Sequence, residues 1–121
     1  MNIFHVEDDR DIREITKMAL EMAGEFQVSQ YDCGDAALAA ASDSTPDLFL
    51  LDVMMPGMTG PETLLKLREF DHLANVPAIY MTARVQPDEI EAFKKTEALG
   101  VIEKPFDPVT LGQQIMDMMA T

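Results

Sequence analysis

The sequence has few of the features that mark secreted or membrane-inserted proteins. Its 121 residues contain a single cysteine, Cys33, so no disulfide can form within the chain. No apolar run approaches the roughly 20 residues that a membrane-spanning helix needs. The first residues, MNIFHV, include neither a basic stretch nor a small-residue cleavage site. These absences predict a cytoplasmic protein that does not insert into membranes.

Positive charge is also scarce. Nine lysines and arginines stand against 22 aspartates and glutamates, which gives a formal net charge of -13. Because nucleic acids present a polyanionic backbone, this balance disfavours direct nucleic-acid binding. Carboxylates that gather in one place can instead hold a hard cation. The positions at which the acidic residues gather are therefore informative.

Short apolar segments that favour β-structure alternate along the chain with helical patterns. The segments read as buried parallel strands at 2–6, 26–31, 47–52, 77–81 and 99–103. Apolar residues at spacings of three and four predict helices at 9–23, 35–43, 61–70, 87–97 and 107–119. Strands that alternate with helices require right-handed crossovers. The pattern predicts a doubly wound α/β domain with a mostly parallel sheet and helices on both faces.

The helix starts carry recognisable signals. Three of them have a proline at or near the first turn, where a missing N–H costs little, and a residue suited to a cap position before it: Thr59 and Pro61, Gln86 and Pro87, Asp107 and Pro108. No linker, internal repeat or low-complexity tract interrupts the pattern. Residues 1–121 are therefore expected to be a single domain without an attached output domain.

Polar residues follow four of the predicted strands. In doubly wound sheets, ligands bind beyond the carboxyl ends of the strands. The residues that the topology brings to this edge are Glu7, Asp8 and Asp9 after the first strand, Asp52 after the third, Thr82 after the fourth and Lys104 after the fifth. Carboxylates, a hydroxyl and an ammonium group are thus expected to converge.

Crowded carboxylates raise one another's pKa unless a cation neutralises them. Oxygen ligands with no cysteine or histidine nearby suit Mg2+ or Mn2+. Asp52 is then placed to attack phosphorus as a carboxylate nucleophile, with Lys104 neutralising charge. The alternative is that the acidic residues only cap helices. Capping accounts for Asp8 or Asp9, but it leaves the placement of Thr82 and Lys104 unexplained.

Other phosphate and metal motifs fit less well. Met54 stands where a phosphatase of the haloacid dehalogenase type needs a second aspartate. The glycines of PGMTG do not form a phosphate-binding loop, and no GxGxxG follows the first strand. The segment DDRD lacks the glycine and the distal glutamate of an EF-hand.

Four segments resemble the receiver domain of bacterial response regulators, the family of the chemotaxis switch protein. They are VEDD, LLDVMMPGMTG around Asp52, MTA at 81–83 and EKPF at 103–106. Each alone is a weak signal, but the four occur in the family's order and spacing and span essentially the whole chain. The resemblance implies a flavodoxin-like fold with a five-stranded parallel sheet in the order 2-1-3-4-5 and five helices on two faces.

The resemblance also implies a role for each matching residue. Glu7 and Asp8 would form the acidic pair that binds Mg2+, with Asp8 the more direct ligand. Asp52 would be the phosphorylation site and a further ligand, and the backbone carbonyl of Met54 would complete the protein's share of the coordination. Thr82 would donate its hydroxyl to the phosphoryl group.

Lys104 would pair with the phosphoryl oxygens, and the Lys104-Pro105 peptide bond is expected to be cis, an option that X-Pro bonds allow at small cost. Ala83, Arg84, Val101 and Pro105 match switch or modulating positions. Met54 and Arg84 border the site in the family and are expected to set how fast water reaches the phosphoryl group.

One position departs from the family pattern. Three residues before the lysine the family usually places Tyr or Phe, whose ring swings inward behind the threonine, but this chain has Val101. Valine has no ring and is stiff at χ1. We predict a smaller change at the face formed by the fourth helix, fifth strand and fifth helix, or a change carried by the backbone. A large rearrangement of side chain 101 between free and phosphoryl-mimic-bound structures would contradict this.

The leading hypothesis is a phosphoacceptor that takes its phosphoryl group from a histidine kinase or a histidine phosphotransfer protein. It would signal through a downstream protein and would not be a conventional enzyme, although it would catalyse its own phosphorylation and dephosphorylation. The alternative is a receiver-like interaction module that binds a partner without phosphorylation. A module of that kind has no chemical need for Asp52, Thr82 and Lys104 together.

Overall fold

A computed structural model describes residues 1–83, 91 and 93–120. Within them, five parallel strands form one sheet in the order β2-β1-β3-β4-β5. The strands are β1 Asn2–Val6, β2 Gln27–Tyr31, β3 Leu48–Asp52, β4 Ala78–Thr82 and β5 Gly100–Glu103. The predicted doubly wound sheet and its order are confirmed, and each strand lies within one residue of its predicted position.

Four helices in the described part of the chain have defined bounds: α1 Arg10–Met22, α2 Gly34–Ala41, α3 Gly60–Leu67 and the C-terminal helix Leu111–Met119. A short 3-10 helix spans Asp71–Leu73. Residues 93–95 are also helical and belong to the stretch where the sequence predicts a helix at 87–97. The start of that helix, with Gln86 and Pro87, lies outside the described residues, as does Arg84.

Side chains cap three of the helices. The Asp9 carboxylate accepts hydrogen bonds from the backbone N–H groups of Asp11 and Ile12 at 2.9 and 3.2 Å and so begins α1. Thr59 and Glu62 form a reciprocal capping box at the start of α3. The Cys33 thiol accepts from the backbone N–H of Ala36 at the start of α2. The capping interpretation is therefore correct for Asp9.

Two helix boundaries differ from the predictions by three residues or more. The C-terminal helix begins at Leu111, not at 107, because the Asp107 carboxylate and carbonyl accept hydrogen bonds from the backbone of residues 109–111 and close a separate turn. The third helix ends at Leu67, not at 70. Arg68 is its C-cap, and tighter turns then lead into the 3-10 helix.

The sheet separates two hydrophobic layers. Because side chains alternate along a strand, Phe4 and Tyr80 pack with α2 and α3 on one face, while Ile3 and Ile79 pack with α1 and the C-terminal helix on the other. Strands β3 and β4 are buried along their whole length. Burying each large apolar side chain stabilises the fold by about 1.5–3 kcal/mol. The sheet is thus a rigid support for the residues at its carboxyl edge.

None of the helices within the described residues combines the length and the hydropathy required to span a bilayer.

Candidate functional site

A groove of about 310 Å3 runs along the carboxyl edge of the sheet. Its position follows from the parallel register, since β1, β3 and β4 all end at this edge and the chain leaves β5 here. The predicted site residues that line it are Glu7, Asp8, Asp52, Met54, Thr82, Ala83 and Lys104, together with Asp9 and Ile12. The structure therefore brings together the residues that the sequence places after four different strands.

Lys104 links three strand ends. Its Nζ atom donates to both carboxylate oxygens of Glu7 at 2.9 Å and to Oδ1 of Asp52 at 3.0 Å. The lysine side chain is 11% exposed, and the two carboxylate side chains are 1% and 7% exposed. Because all three groups are largely withdrawn from water, each depends on the others for charge balance.

Three carboxylates gather beside this lysine. Glu7, Asp8 and Asp52 each offer an oxygen atom, and these atoms all lie within 4.8 Å of one another. Glu7 and Asp52 are buried, whereas Asp8 is exposed at the mouth of the groove. Oxygen ligands of this type and number suit a hard divalent cation, with Asp8 accessible from solvent. The donor set fits the Mg2+ that the sequence predicts.

The site carries more negative charge than one lysine balances. Burial, together with the charge of Asp52, raises the pKa of Glu7 from 4.5 to about 7 although Lys104 opposes the shift. Burial also raises the pKa of Asp52. Burial alone would lower the pKa of Lys104, but Glu7 and Asp52 together raise it. A second positive charge would therefore stabilise the ionised form of these carboxylates.

Arg13 positions the acidic loop and was missed by the sequence reasoning. Its Nη1 atom donates to the backbone carbonyls of Glu7 at 2.9 Å and Asp8 at 3.1 Å. Gln30 on β2 in turn donates to the backbone carbonyl of Arg13 at 2.7 Å. The position of Arg13 in the sequence could have suggested this role. An arginine in the first turns of the helix that follows the acidic residues can reach back to their loop.

His5 is a buried core residue. Burial lowers its pKa from 6.5 to about 3, with help from the charges of Lys104 and Arg13, so the ring is neutral at pH 7. Gln30 Nε2 lies 3.1 Å from Nδ1 and donates to it, which leaves the ring proton on Nε2. The ring lies within the sheet and does not line the groove.

Of the other switch and modulating positions that the structure describes, Met54 lines the groove and Pro105 follows the groove residue Lys104. The Lys104-Pro105 peptide bond is cis, as the resemblance implies. The side chain of Met54 is 73% exposed beside Asp52. Val101 is half-buried and packs against the hydrophobic layer that contains Tyr80 and Phe93.

Fold and site together define a doubly wound domain whose sheet edge holds an acidic cluster and a fixed lysine. The chain belongs to the response regulator receiver domain family, whose model matches residues 3–116. Domains of this family are signalling domains of two-component systems and not conventional enzymes.

Named relatives agree with this family. The chain is 37% identical over 111 residues to the phosphate regulon transcriptional regulatory protein PhoB of Pseudomonas aeruginosa, a match that covers 88% of the chain and 46% of that protein. It is 35% identical over 114 residues to the transcriptional regulatory protein CseB of Streptomyces avermitilis, covering 94% and 47%. The chain thus spans about half the length of these curated relatives.

A solved structure of similar size is the chemotaxis protein CheY4 of Vibrio cholerae. The match has a TM-score of 0.90 and 30% sequence identity, and it covers 97% of both chains.

Proposed function

We propose that the chain is a phosphoacceptor that receives a phosphoryl group on Asp52 from a phosphohistidine. The observation that carries this proposal is the environment of the Asp52 carboxylate. It ends a fully buried strand, opens into the groove, and lies 3.0 Å from the Lys104 ammonium group. A carboxylate held in place beside a fixed cation meets the main demands of phosphoryl transfer, which are position and charge neutralisation.

The reaction needs few protein groups. An Asp52 carboxylate oxygen attacks phosphorus, and the P–N bond to the donor histidine breaks as the O–P bond forms. Lys104, which already contacts Asp52, pairs with the phosphoryl oxygens. Thr82, at the end of the neighbouring strand, donates its hydroxyl to the same group. Dephosphorylation is the attack of water on phosphorus, which returns the carboxylate and releases inorganic phosphate.

The proposed Mg2+ ligands are the carboxylates of Glu7, Asp8 and Asp52 and the backbone carbonyl of Met54, with Mn2+ as an alternative cation. When bound, the cation would neutralise negative charge on the phosphoryl oxygens. Arg13 holds the backbone of the acidic pair, and so it keeps those two ligands in position. The exposed Met54 side chain beside Asp52 would limit the approach of water, together with Arg84.

Intact-mass measurement tests the proposal directly. After incubation with a small acyl phosphate donor and Mg2+, the chain is expected to gain the mass of one phosphoryl group. The Asp52→Asn variant should gain none, because an amide is not a carboxylate nucleophile. A Glu62→Gln control alters an exposed carboxyl group away from the groove and should behave as the wild type. No mass gain with any donor would contradict the proposal and favour the interaction module.

The donor is a histidine kinase or a histidine phosphotransfer protein, and we propose that it docks on an apolar surface of α1, the helix whose residue Ile12 lines the groove. This α1 patch consists of Ile15, Met18 and Met22 on α1 with Val109 before the C-terminal helix. The exposed fractions of these side chains run from 45% to 90%. Apolar side chains grouped at this level of exposure are typical of protein contacts.

Substituting Met18 by glutamate is expected to slow phosphotransfer from the protein donor about tenfold, the usual effect of losing a central apolar contact. The rate with a small acyl phosphate should stay the same, because the substitution lies outside the groove. Leu65→Glu, on an exposed position of α3, is the matched control. Equal rates for both variants with the protein donor would place docking elsewhere.

The signal is proposed to pass to a downstream protein through the face formed by the fourth helix, fifth strand and fifth helix. No direct contact to nucleic acid is proposed. That the domain acts in the cytoplasm stays a prediction. A phosphotransfer profile against the histidine kinases of the source cell would identify the pathway.

A further inference from the structure

Thr96 is the centre of a small hydrogen-bond network that joins β4 and α3 to the segment before β5. The Tyr80 hydroxyl on β4 lies 2.9 Å from the Thr96 hydroxyl. The guanidinium of Arg68, the C-cap of α3, donates to the backbone carbonyl of Thr96. We call Arg68, Tyr80 and Thr96 the Thr96 network. It holds one residue from two sides, through both its side chain and its backbone.

The direction of the hydrogen bond from Tyr80 follows from the bonding of Thr96. The threonine hydroxyl lies 2.7 Å from the carbonyl of Phe93 and donates its only proton there. Tyr80 must therefore be the donor to Thr96. Since the Tyr80 side chain is fully buried and its ring packs on Phe93 at a centroid distance of 4.8 Å, ring and hydroxyl both contact the same segment.

Tyr80 is also close to the groove along its own strand. It lies two residues before Thr82, so both side chains leave β4 on the same face of the sheet. In the parallel register Tyr80 pairs with Val101 on β5. A shift of the end of β4 is therefore transmitted to Tyr80 by covalent structure, and from its ring to residues 93–97 by packing and hydrogen bonding.

Two unfavourable features lie in or next to the segment that the network holds. Glu97 has a φ of 60°, a left-handed conformation that residues with a Cβ rarely adopt. The Nε atom of Arg68 is buried and has no hydrogen-bond partner among the described residues. Only the first lies in residues 93–97, where Glu97 is the left-handed residue of a helix C-terminus: the N–H groups of Glu97 and Ala98 donate to the carbonyls of Lys94 and Phe93. The Thr96 network therefore supports a helix end whose left-handed residue is not the glycine that this position favours.

We propose that the Thr96 network couples the phosphorylation site to the surface formed by residues 93–103. In this role the Tyr80 ring, one strand away, replaces the ring that Val101 lacks. The inference rests on the proposed function, because the signal it carries is phosphorylation of Asp52. When Thr82 donates its hydroxyl to the phosphoryl group, it draws the end of β4 toward Asp52, which breaks the hydrogen bond from Tyr80 to Thr96 and releases residues 93–97.

Hydrogen exchange tests this coupling. Adding beryllofluoride and Mg2+, which mimic the phosphoryl group, is expected to speed amide exchange in residues 93–97 about fivefold, the effect of losing one neutral hydrogen bond. Tyr80→Phe and Thr96→Val lack that bond from the start. Their exchange should already be faster, and the mimic should change it less than about twofold. A network with only a structural role would speed exchange in the variants but leave the full response to the mimic.

Tyrosine emission gives a second readout. The chain has no tryptophan and two tyrosines, Tyr31 and Tyr80. In a Tyr31→Phe protein, emission therefore reports on Tyr80 alone, and it should change when the mimic is added. Adding Thr96→Val to that protein should abolish the change.

Each outcome bears on the coupling separately from the phosphorylation chemistry. Unaltered emission in the Tyr31→Phe protein, or an equal exchange response in wild type and Tyr80→Phe, would overturn the coupling. All these variants should still gain one phosphoryl group by intact mass, since none of the substituted residues lines the groove. Absence of that mass gain in the wild type would instead overturn the proposed function.

Discussion

Replacing Lys104 with methionine is expected to slow phosphorylation of Asp52 by about 100- to 1,000-fold, the usual effect of removing one preorganised charge-stabilising group. Methionine keeps the length and apolar stem of lysine but removes the ammonium group. That group contacts both Glu7 and Asp52 at 2.9–3.0 Å. Its loss leaves two buried carboxylates without their cationic partner and removes the positive charge that would pair with the phosphoryl oxygens. The time course of mass gain with a small acyl phosphate measures the rate.

Two variants control for the loss of charge alone. Lys94→Met removes one positive charge from an exposed lysine distant from the groove, and its rate should match the wild type. Lys104→Arg retains the charge but changes its geometry, and it should recover part of the rate. A Lys104→Met rate within about threefold of wild type would contradict the assigned role, because that difference is far below the effect of one charge-stabilising group.

Without a divalent cation, the domain is expected to lose stability as the pH rises from 6 to 8, through the carboxyl group of Glu7. Its pKa is about 7 in the folded chain and 4.5 ordinarily, so the folded state binds more protons over this range. The resulting stabilisation is fully present below pH 4.5 and is lost as the pH rises through 7. We expect the free energy of unfolding to fall by about 1–2 kcal/mol over this range, allowing for the solvent that reaches the groove.

Mg2+ is expected to reverse this loss. At pH 8 the carboxylates are ionised, so the cation should raise the free energy of unfolding by about 2 kcal/mol at concentrations well above its Kd. At pH 6 protons compete for the same oxygens, and the gain should be smaller. Urea denaturation at both pH values, with and without Mg2+, measures the effect. Equal gains at the two pH values would contradict the predicted competition.

The Glu7→Gln variant isolates the group responsible. Glu7→Gln should reduce the difference in the free energy of unfolding between pH 6 and pH 8. Glu69→Gln changes an exposed surface position and should leave that difference unchanged. His5 contributes a slope of opposite sign, because its pKa is lowered to about 3 and stability is lost as the pH falls below 6.5. That slope is present in both variants and in the wild type, so comparing them removes it.

The sheet and the location of the site could be predicted because they depend on local patterns. Apolar runs of four to six residues and helical spacing determine the element order, and the crossover rule then determines the sheet. The capping box at Thr59 could be predicted for the same reason, since its hydrogen bonds join residues three apart. The start of the C-terminal helix could not be predicted in this way. The local sequence at Asp107 is equally consistent with a helix cap and with a separate turn, and the structure forms the turn.

The proposed coupling through Tyr80 could not be predicted from local sequence patterns. The sequence shows that Val101 replaces an aromatic residue, but it does not show which ring packs nearby. Only the register of β4 against β5 places Tyr80 beside Val101, and only packing places Thr96 within hydrogen-bond distance of Tyr80. Arg13 was missed for a related reason, because an arginine on a helix has many partners within reach.

The sequence by itself determined the order of the elements and the residues that stand at the carboxyl edge of the sheet. These follow from composition and spacing along the chain. The tertiary structure decided how those residues are paired and charged. Lys104 meets Glu7 across 97 residues of sequence, and the raised pKa of Glu7 depends on burial and on Asp52. Distance and burial arise only when separate strands pack side by side, so the charge balance of the site belongs to the folded chain alone.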